Sequence, residues 1–166
     1  MTASAAAVFA SVFAALYVAH SIGDHWVQTS CQSALKGQHD CNPGESSRVG
    51  RLACTRHVIG LTITKALALA LVVLVLDLSV TALGVTIGLG IDALTHYWAD
   101  RRSTLAWLAQ VTGKGEFYSL GTGTHPAAPV TAKGKPAGHL GTGAYALDQS
   151  FHHLWLLVAA LLIAAI

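Results

Sequence analysis

Histidines and aspartates recur at four-residue intervals in the most apolar parts of this sequence. His20 and Asp24 are four residues apart, and Gln28 follows after another four. Residues with this spacing lie on one face of a helix, so each set should project toward the same neighbouring helix. The spacing recurs in two later segments, which contain Asp92, His96 and Asp100, then Asp148 and His152. A further apolar run opens with His57.

These residue types are the ligands of a metal site. Neutral imidazole and carboxylate bind zinc, and they bind iron or manganese where oxygen ligands dominate. A catalytic site keeps a position open for water and uses further carboxylates to orient ligands or accept protons. The predicted metal ligands are His20, His57, Asp92, His96 and His152. The predicted catalytic carboxylates are Asp24, Asp100 and Asp148, and the residues predicted to support the ligands are Gln28, Lys65 and Gln149.

The composition indicates that membrane helices position these residues. Of the 166 residues, 53% are hydrophobic and only 11% are charged, whereas soluble domains carry about 25% charged residues. Crossing the hydrocarbon layer takes roughly 20 helical residues. The predicted fold is an all-α polytopic membrane protein, a four-helix transmembrane bundle that forms one domain, 1–166. Its predicted spans are about 4–28, 56–77, 81–100 and 147–166.

The basic residues predict the orientation of this bundle. Nine of the ten Lys and Arg residues lie in the two long loops, 29–55 and 101–146, or at the adjoining helix ends; the tenth is Lys65. Cytoplasmic loops are enriched in Lys and Arg. We therefore expect both loops in the cytoplasm and both termini outside, in the inner (cytoplasmic) membrane. Every His/Asp group then falls at the cytoplasmic end of its span. The four helices should therefore place these polar side chains at a similar depth in the bilayer.

Two questions about the polar groups stay open at this point. Interhelical hydrogen bonds and ion pairs would hold four helices together in lipid, whereas the shared depth of the groups favours a metal or proton site. Lys65 and Asp92 lie at similar depths, and a buried ion pair would let the bilayer tolerate both. Asp92 would then be structural rather than a ligand. Alternatively, Lys65 binds an anionic substrate group next to the metal.

The loops carry weaker signals. Turn-forming residues make 37–50 look irregular, and 119–143 is dominated by Gly, Thr, Pro and Ala. The segment RRSTLAWLAQV, 101–111, is predicted to continue the third span or to form a short interfacial helix. In the second case Leu105, Trp107 and Leu108 should face lipid.

The motifs resemble those of domain-of-unknown-function family 3307, a group of bacterial and phage multi-pass membrane proteins. The resemblance is carried by HSIGDHWVQ at 20–28, RHV at 56–58, DALTHYWAD at 92–100 and DQSFHH at 148–153. The stretches GRLACTRHV and GTGAYALDQSFHH are similar to actinobacterial members in particular. The first loop departs from the family pattern, because CQSALKGQHDC carries cysteines and is extended. The resemblance implies a multi-pass membrane protein and supplies no established reaction.

The favoured hypothesis is a membrane-embedded metal-binding protein that acts as a metal-dependent hydrolase. Membrane-bound metal-dependent hydrolases also place His and Asp on helices near the cytoplasmic face. The expected cofactor is a divalent metal, with zinc preferred over iron or manganese. The expected partners are the lipid bilayer and an anionic lipid or phosphorylated substrate, with no nucleic acid; a homo-oligomer is compatible with the sequence. The alternatives are a proton or divalent-cation transporter component and a non-catalytic module that recruits a partner.

Overall fold

The computed structural model describes residues 4–121 and 142–166, which form helices joined by turns. Most of the Gly-rich segment 119–143 therefore lies outside the described residues. The helices are α1 (Ala5–Ile22), continued by a π-helical turn (Gly23–Val27), α2 (Ser30–Leu35), α3 (Ser47–Leu76), α4 (Ala82–Asp100), α5 (Ser103–Val111), α6 (Gly115–Ser119) and α7 (Gly143–Ala165). The described ranges contain no strand, and the prediction of an all-α fold is confirmed.

Three helical segments are long and apolar enough to cross a membrane: Ala5–Val27, Ser47–Leu76 and Gly143–Ala165. Large apolar side chains cover their outer faces; Leu67 and Leu74 of α3 are 67% and 81% exposed. Such continuous apolar surface is consistent with contact to lipid. α4 is not among the three because Asp92, His96 and Asp100 make its C-terminal half polar. A fourth crossing by α4 stays a prediction.

Two helices begin earlier than their predicted spans because a hydroxyl side chain caps each N-terminus. α3 begins at Ser47 rather than near 56, and the Ser46 side chain accepts a hydrogen bond from Val49 N–H. α7 begins at Gly143 rather than near 147, and the Thr142 side chain accepts from Tyr145 N–H at 3.1 Å. These bonds satisfy donors that have no partner inside the helix. The segment predicted as loop 29–55 thus contains α2 and the first turns of α3.

Asp40 anchors the N-terminus of α3. Its carboxylate accepts a hydrogen bond from Ser47 N–H at 2.8 Å, and its own N–H donates to the Ser47 hydroxyl at 2.9 Å. Hydrogen bonds from Ser47 favour the ionised form and hold the pKa of Asp40 below its ordinary value. The turns that join α2 to α3 are therefore fixed to the helix they precede.

α5 is a separate helix rather than a continuation of α4. Arg102 has a φ of +57°, which interrupts the helical path between α4 and α5. The prediction that Leu105 faces lipid is wrong, because its side chain is packed inside the protein and is 5% exposed. Trp107 is 60% exposed, as an outward position requires.

An apolar core fills one end of the bundle, where α1, α3, α4 and α7 meet. It contains Val8, Val12, Leu16, Leu69, Leu89, Leu156, Ala159, Ala160 and Ile163. α4 packs most extensively on α7. Their approach is close at Gly88, where an added Cβ would lie 2.6 Å from Ile163 Cγ1 and 2.9 Å from the Ala159 carbonyl oxygen. Small residues permit this proximity between membrane helices.

We expect Gly88→Ala to destabilise the bundle by about 1–3 kcal/mol, the usual cost of overpacking. The added methyl group would meet α7 backbone, which cannot move aside as a side chain can. Gly90→Ala is the matched control, because nothing lies within 4 Å of a Cβ at that position. The helix propensity of alanine should leave this control as stable as the wild type or more so. Thermal unfolding in detergent micelles measures both variants, and equal melting temperatures would contradict the close α4–α7 contact.

Candidate metal centre

Four helices bring seven histidine and aspartate side chains together at the end of the bundle opposite the apolar core. They are His20, Asp24, His57, His96, Asp100, Asp148 and His152. These positions belong to the C-terminal end of α1 and the π-helical turn after it, the C-terminal end of α4, the N-terminal half of α3 and the first turns of α7. All of them except Asp24 and Asp148 are buried. Burying this many polar groups is costly unless partners or ions compensate.

The tightest part of the cluster surrounds His57 and His96, whose Nε2 atoms lie 3.1 Å apart. Asp24 Oδ1 lies 3.2 Å from His57 Nε2 and 3.8 Å from His96 Nε2. Asp100 Oδ2 lies 3.2 Å and 3.1 Å from the same two nitrogens. Zinc bonds of about 2.0–2.2 Å place tetrahedral ligand atoms roughly 3.3–3.6 Å apart. The N–N and N–O distances of 3.1–3.8 Å bracket this spacing, so each carboxylate oxygen lies near enough to both nitrogens to share a metal ion with them.

Two of these atoms are buried without a hydrogen bond. Asp24 Oδ1 and Asp100 Oδ2 lie close to histidine nitrogens, but without hydrogen-bonding geometry. Buried polar atoms normally have a hydrogen-bond partner, and leaving one without a partner costs about 1–3 kcal/mol. A cation between them would satisfy both oxygens.

His152 of α7 extends the cluster. Its Nε2 lies 3.4 Å from Asp148 Oδ1 and 3.9 Å from Asp100 Oδ1. His96, Asp100 and His152 each offer one ligand atom within 4.8 Å of the other two, and Asp24, His57 and His96 form a second such triad. His96 belongs to both triads, which makes it the most central residue of the cluster.

The predicted supporting residues differ in their positions. The Gln149 amide donates to Asp24 Oδ2 at 3.4 Å and to Asp148 Oδ2 at 3.3 Å, so it restrains two carboxylates. Gln28 follows the π-helical turn, which ends when Gln28 N–H donates to the Gly23 carbonyl at 2.9 Å. Gln28 nevertheless lines the same cavity as Asp24, and its amide nitrogen is buried without a hydrogen bond among the described residues. π-helical turns are frequent at functional sites.

Two of the predicted ligands, His20 and Asp92, belong to neither triad. His20 still contacts the cluster, because its Nε2 lies 3.4 Å from Asp24 Oδ2. Lys65 Nζ donates a hydrogen bond to Asp92 Oδ2 at 2.6 Å, and both residues are buried. Of the two roles left open by the sequence, this contact favours the structural ion pair.

Lys36 is a residue of the cluster that sequence reasoning missed. Its Nζ lies 2.8 Å from Asp100 Oδ1. Arg101 holds this part of the chain in place, because its guanidinium donates to the carbonyl oxygens of Lys36 and Gln38 at 2.6 Å each. In the sequence Lys36 contributed only to the charge of its loop, since no local spacing connects it to Asp100.

A cavity of about 510 Å³ opens beside the cluster. Its walls include the carboxylates of Asp24, Asp100 and Asp148 and the cationic side chains of Lys36 and Arg102. A small molecule in this cavity would therefore touch the carboxylates directly, without passing through the apolar core. The lining thus sets the two cations Lys36 and Arg102 beside three carboxylates, with Lys36 paired to Asp100.

No protein-family model, curated protein or solved structure matches this chain. The resemblance to family 3307 stays a prediction that is based on the quoted motifs. The functional interpretation depends on the geometry of the cluster and its cavity.

Proposed function

We propose that this protein is a membrane-embedded metal-binding protein that holds a divalent transition-metal ion between α1, α3, α4 and α7. The supporting observation is the convergence of two buried histidine nitrogens and two carboxylate oxygens that make no hydrogen bond, at N–O distances of 3.1–3.8 Å. These atoms belong to His57, His96, Asp24 and Asp100. Two nitrogen and two oxygen donors suit zinc, with iron or manganese as alternatives.

The proposed activity is metal-dependent hydrolysis of an ester, amide or phosphoester in the cavity. A bound divalent metal supplies Lewis acidity and activates water. Asp148 lines the cavity, and its side chain is 24% exposed, so it can accept a proton from a reactant there. Lys36 and Arg102 would orient an anionic lipid headgroup or a phosphorylated small molecule through charge-assisted hydrogen bonds.

A transporter component has less support. A path for protons or cations needs polar groups along its length. Beyond the Lys65–Asp92 pair, the described residues at the far end of the bundle form an apolar core. Hydrolysis needs access from one side only, which the cavity provides.

We propose that the cavity faces the cytoplasm in the inner (cytoplasmic) membrane. Lys36 and Arg102 line the cavity, and Arg101 lies beside it. The end of the bundle that carries the cavity is thus also the end with clustered basic residues, which the positive-inside rule places in the cytoplasm.

Metal analysis of the purified full chain tests this function. The wild-type protein in detergent should contain zinc, iron or manganese by inductively coupled plasma mass spectrometry. His96→Ala should at least halve the metal content, because His96 belongs to both triads. His39→Ala is the matched control: its ring accepts a hydrogen bond from Cys41 N–H in the turns between α2 and α3 and belongs to neither triad. A wild-type protein that takes up none of these metals from solution would overturn the proposal.

A further inference from the structure

We propose that the centre holds two metal ions, bridged by the carboxylates of Asp24 and Asp100; this inference rests on the metal-binding function proposed above. The first ion is the one already placed between His57 and His96. The second would bind His20, His152 and Asp148 together with the remaining oxygens of the two bridging carboxylates. Three independent features of the cluster support a pair of ions.

The first feature is the stacking of His96 on His152. Their ring centroids are 3.9 Å apart and their planes are inclined by only 17°. An imidazole binds a metal in the plane of its ring, so two nearly parallel, stacked rings suit two adjacent ions better than one, although their ligand atoms lie within 4.8 Å of each other. They can hold two adjacent ions at the separation of about 3.5–4 Å that is typical of paired catalytic metals. His57 and His96 differ in this respect, because their planes are inclined by 51° and their Nε2 atoms converge.

The second feature is that the two oxygens of each bridging carboxylate face different histidines. Asp24 Oδ1 faces His57 Nε2 at 3.2 Å, whereas Asp24 Oδ2 faces His20 Nε2 at 3.4 Å. Asp100 Oδ2 faces His57 and His96, whereas Asp100 Oδ1 lies 3.9 Å from His152 Nε2. A carboxylate whose oxygens face different ligand sets can bridge two ions. The oxygens of Asp24 and of Asp100 are both arranged in this way, so both carboxylates can bridge the same two metal ions.

The third feature is a set of buried ring nitrogens that make no hydrogen bond. His20 is 1% exposed and His152 is 2% exposed. Both ring nitrogens of His20 and Nε2 of His152 lack a hydrogen-bond partner among the described residues. Asp148 adds an oxygen 3.4 Å from His152 Nε2. Lys36 contacts Asp100 Oδ1 but uses only one of the two lone pairs of that oxygen, which leaves the other for an ion.

Metal stoichiometry tests the second site. The full chain in lipid nanodiscs is stripped with a chelator, equilibrated with Zn²⁺ alone and freed of unbound metal. We expect two zinc ions per chain in the wild type, one in His152→Ala and two in the His39→Ala control. One ion in both the wild type and His152→Ala would overturn the second site and leave the proposed function intact. No zinc in the wild type would overturn both, and two ions in His152→Ala would remove His152 from the site.

Electron paramagnetic resonance of the Mn²⁺-loaded wild type gives a test that does not depend on folding of a variant. Two Mn²⁺ ions bridged by Asp24 and Asp100 at about 3.5–4 Å should show an exchange-coupled spectrum. A spectrum typical of isolated, uncoupled ions at saturating Mn²⁺ would overturn the bridged pair. It would leave the proposal of a single metal site intact.

Discussion

Lys65→Met should destabilise the protein by about 3–5 kcal/mol, because it leaves the Asp92 carboxylate buried without its partner. Lys65 Nζ lies 2.6 Å from Asp92 Oδ2, and the two side chains are 0% and 3% exposed. Desolvating an unpaired charge costs far more than the intact pair contributes. Thermal or denaturant unfolding in micelles should therefore show a large loss of stability, or too little folded protein to measure.

The double variant Lys65→Met/Asp92→Leu separates the effect of charge from that of packing. Replacing both members of a buried pair by apolar side chains is often neutral or stabilising, so most of the lost stability should return. Leu67→Met, on the exposed face of the same helix, is the control and should change little. The double variant should also keep its metal. Loss of metal in a well-folded double variant would make Asp92 a ligand after all, and wild-type stability of Lys65→Met would contradict the buried ion pair.

The spacing of His and Asp predicted the local part of the site well. The pairs His20–Asp24, His96–Asp100 and Asp148–His152 lie 3.4, 3.1 and 3.4 Å apart in the structure. Four-residue spacing has this result because it depends only on the geometry of a helix. The helix starts could also have been predicted more closely, since Ser46 and Thr142 are residue types that favour N-cap positions.

Contacts between helices could not be predicted in the same way. Lys65 and Asp92 are at similar depth in the sequence pattern, but the rotation of α3 and α4 about their axes decides whether they meet. The contact of Lys36 with Asp100 depends on the path of the α2–α3 turns. The π-helical turn after α1 is a tertiary effect too. A Cβ at Gly23 would lie 2.1 Å from Leu61 Cδ1, so the turn begins where α1 packs closely on α3.

Asp100→Asn should weaken Zn²⁺ binding more than any other change of a single carboxylate. Asp100 Oδ2 lies 3.2 Å from His57 Nε2 and 3.1 Å from His96 Nε2. Asparagine keeps the shape but removes the negative charge, and its amide group presents N–H donors where oxygen ligands are needed. Loss of an outer partner of a metal ligand typically costs about 10–100-fold in affinity. Loss of a ligand that faces two histidines should exceed about 100-fold, as measured by competition with a chromophoric chelator.

Two further aspartates give this result a graded comparison. Asp148→Asn should weaken Zn²⁺ binding about tenfold, because Asp148 contacts one histidine and its side chain is 24% exposed. Asp40→Asn makes the same chemical change at the start of α3, where the carboxylate bonds Ser47 rather than a histidine. It should leave the affinity unchanged. An Asp100→Asn protein that binds Zn²⁺ as tightly as the Asp40→Asn control would remove Asp100 from the ligands and leave the ion to Asp24, His57 and His96.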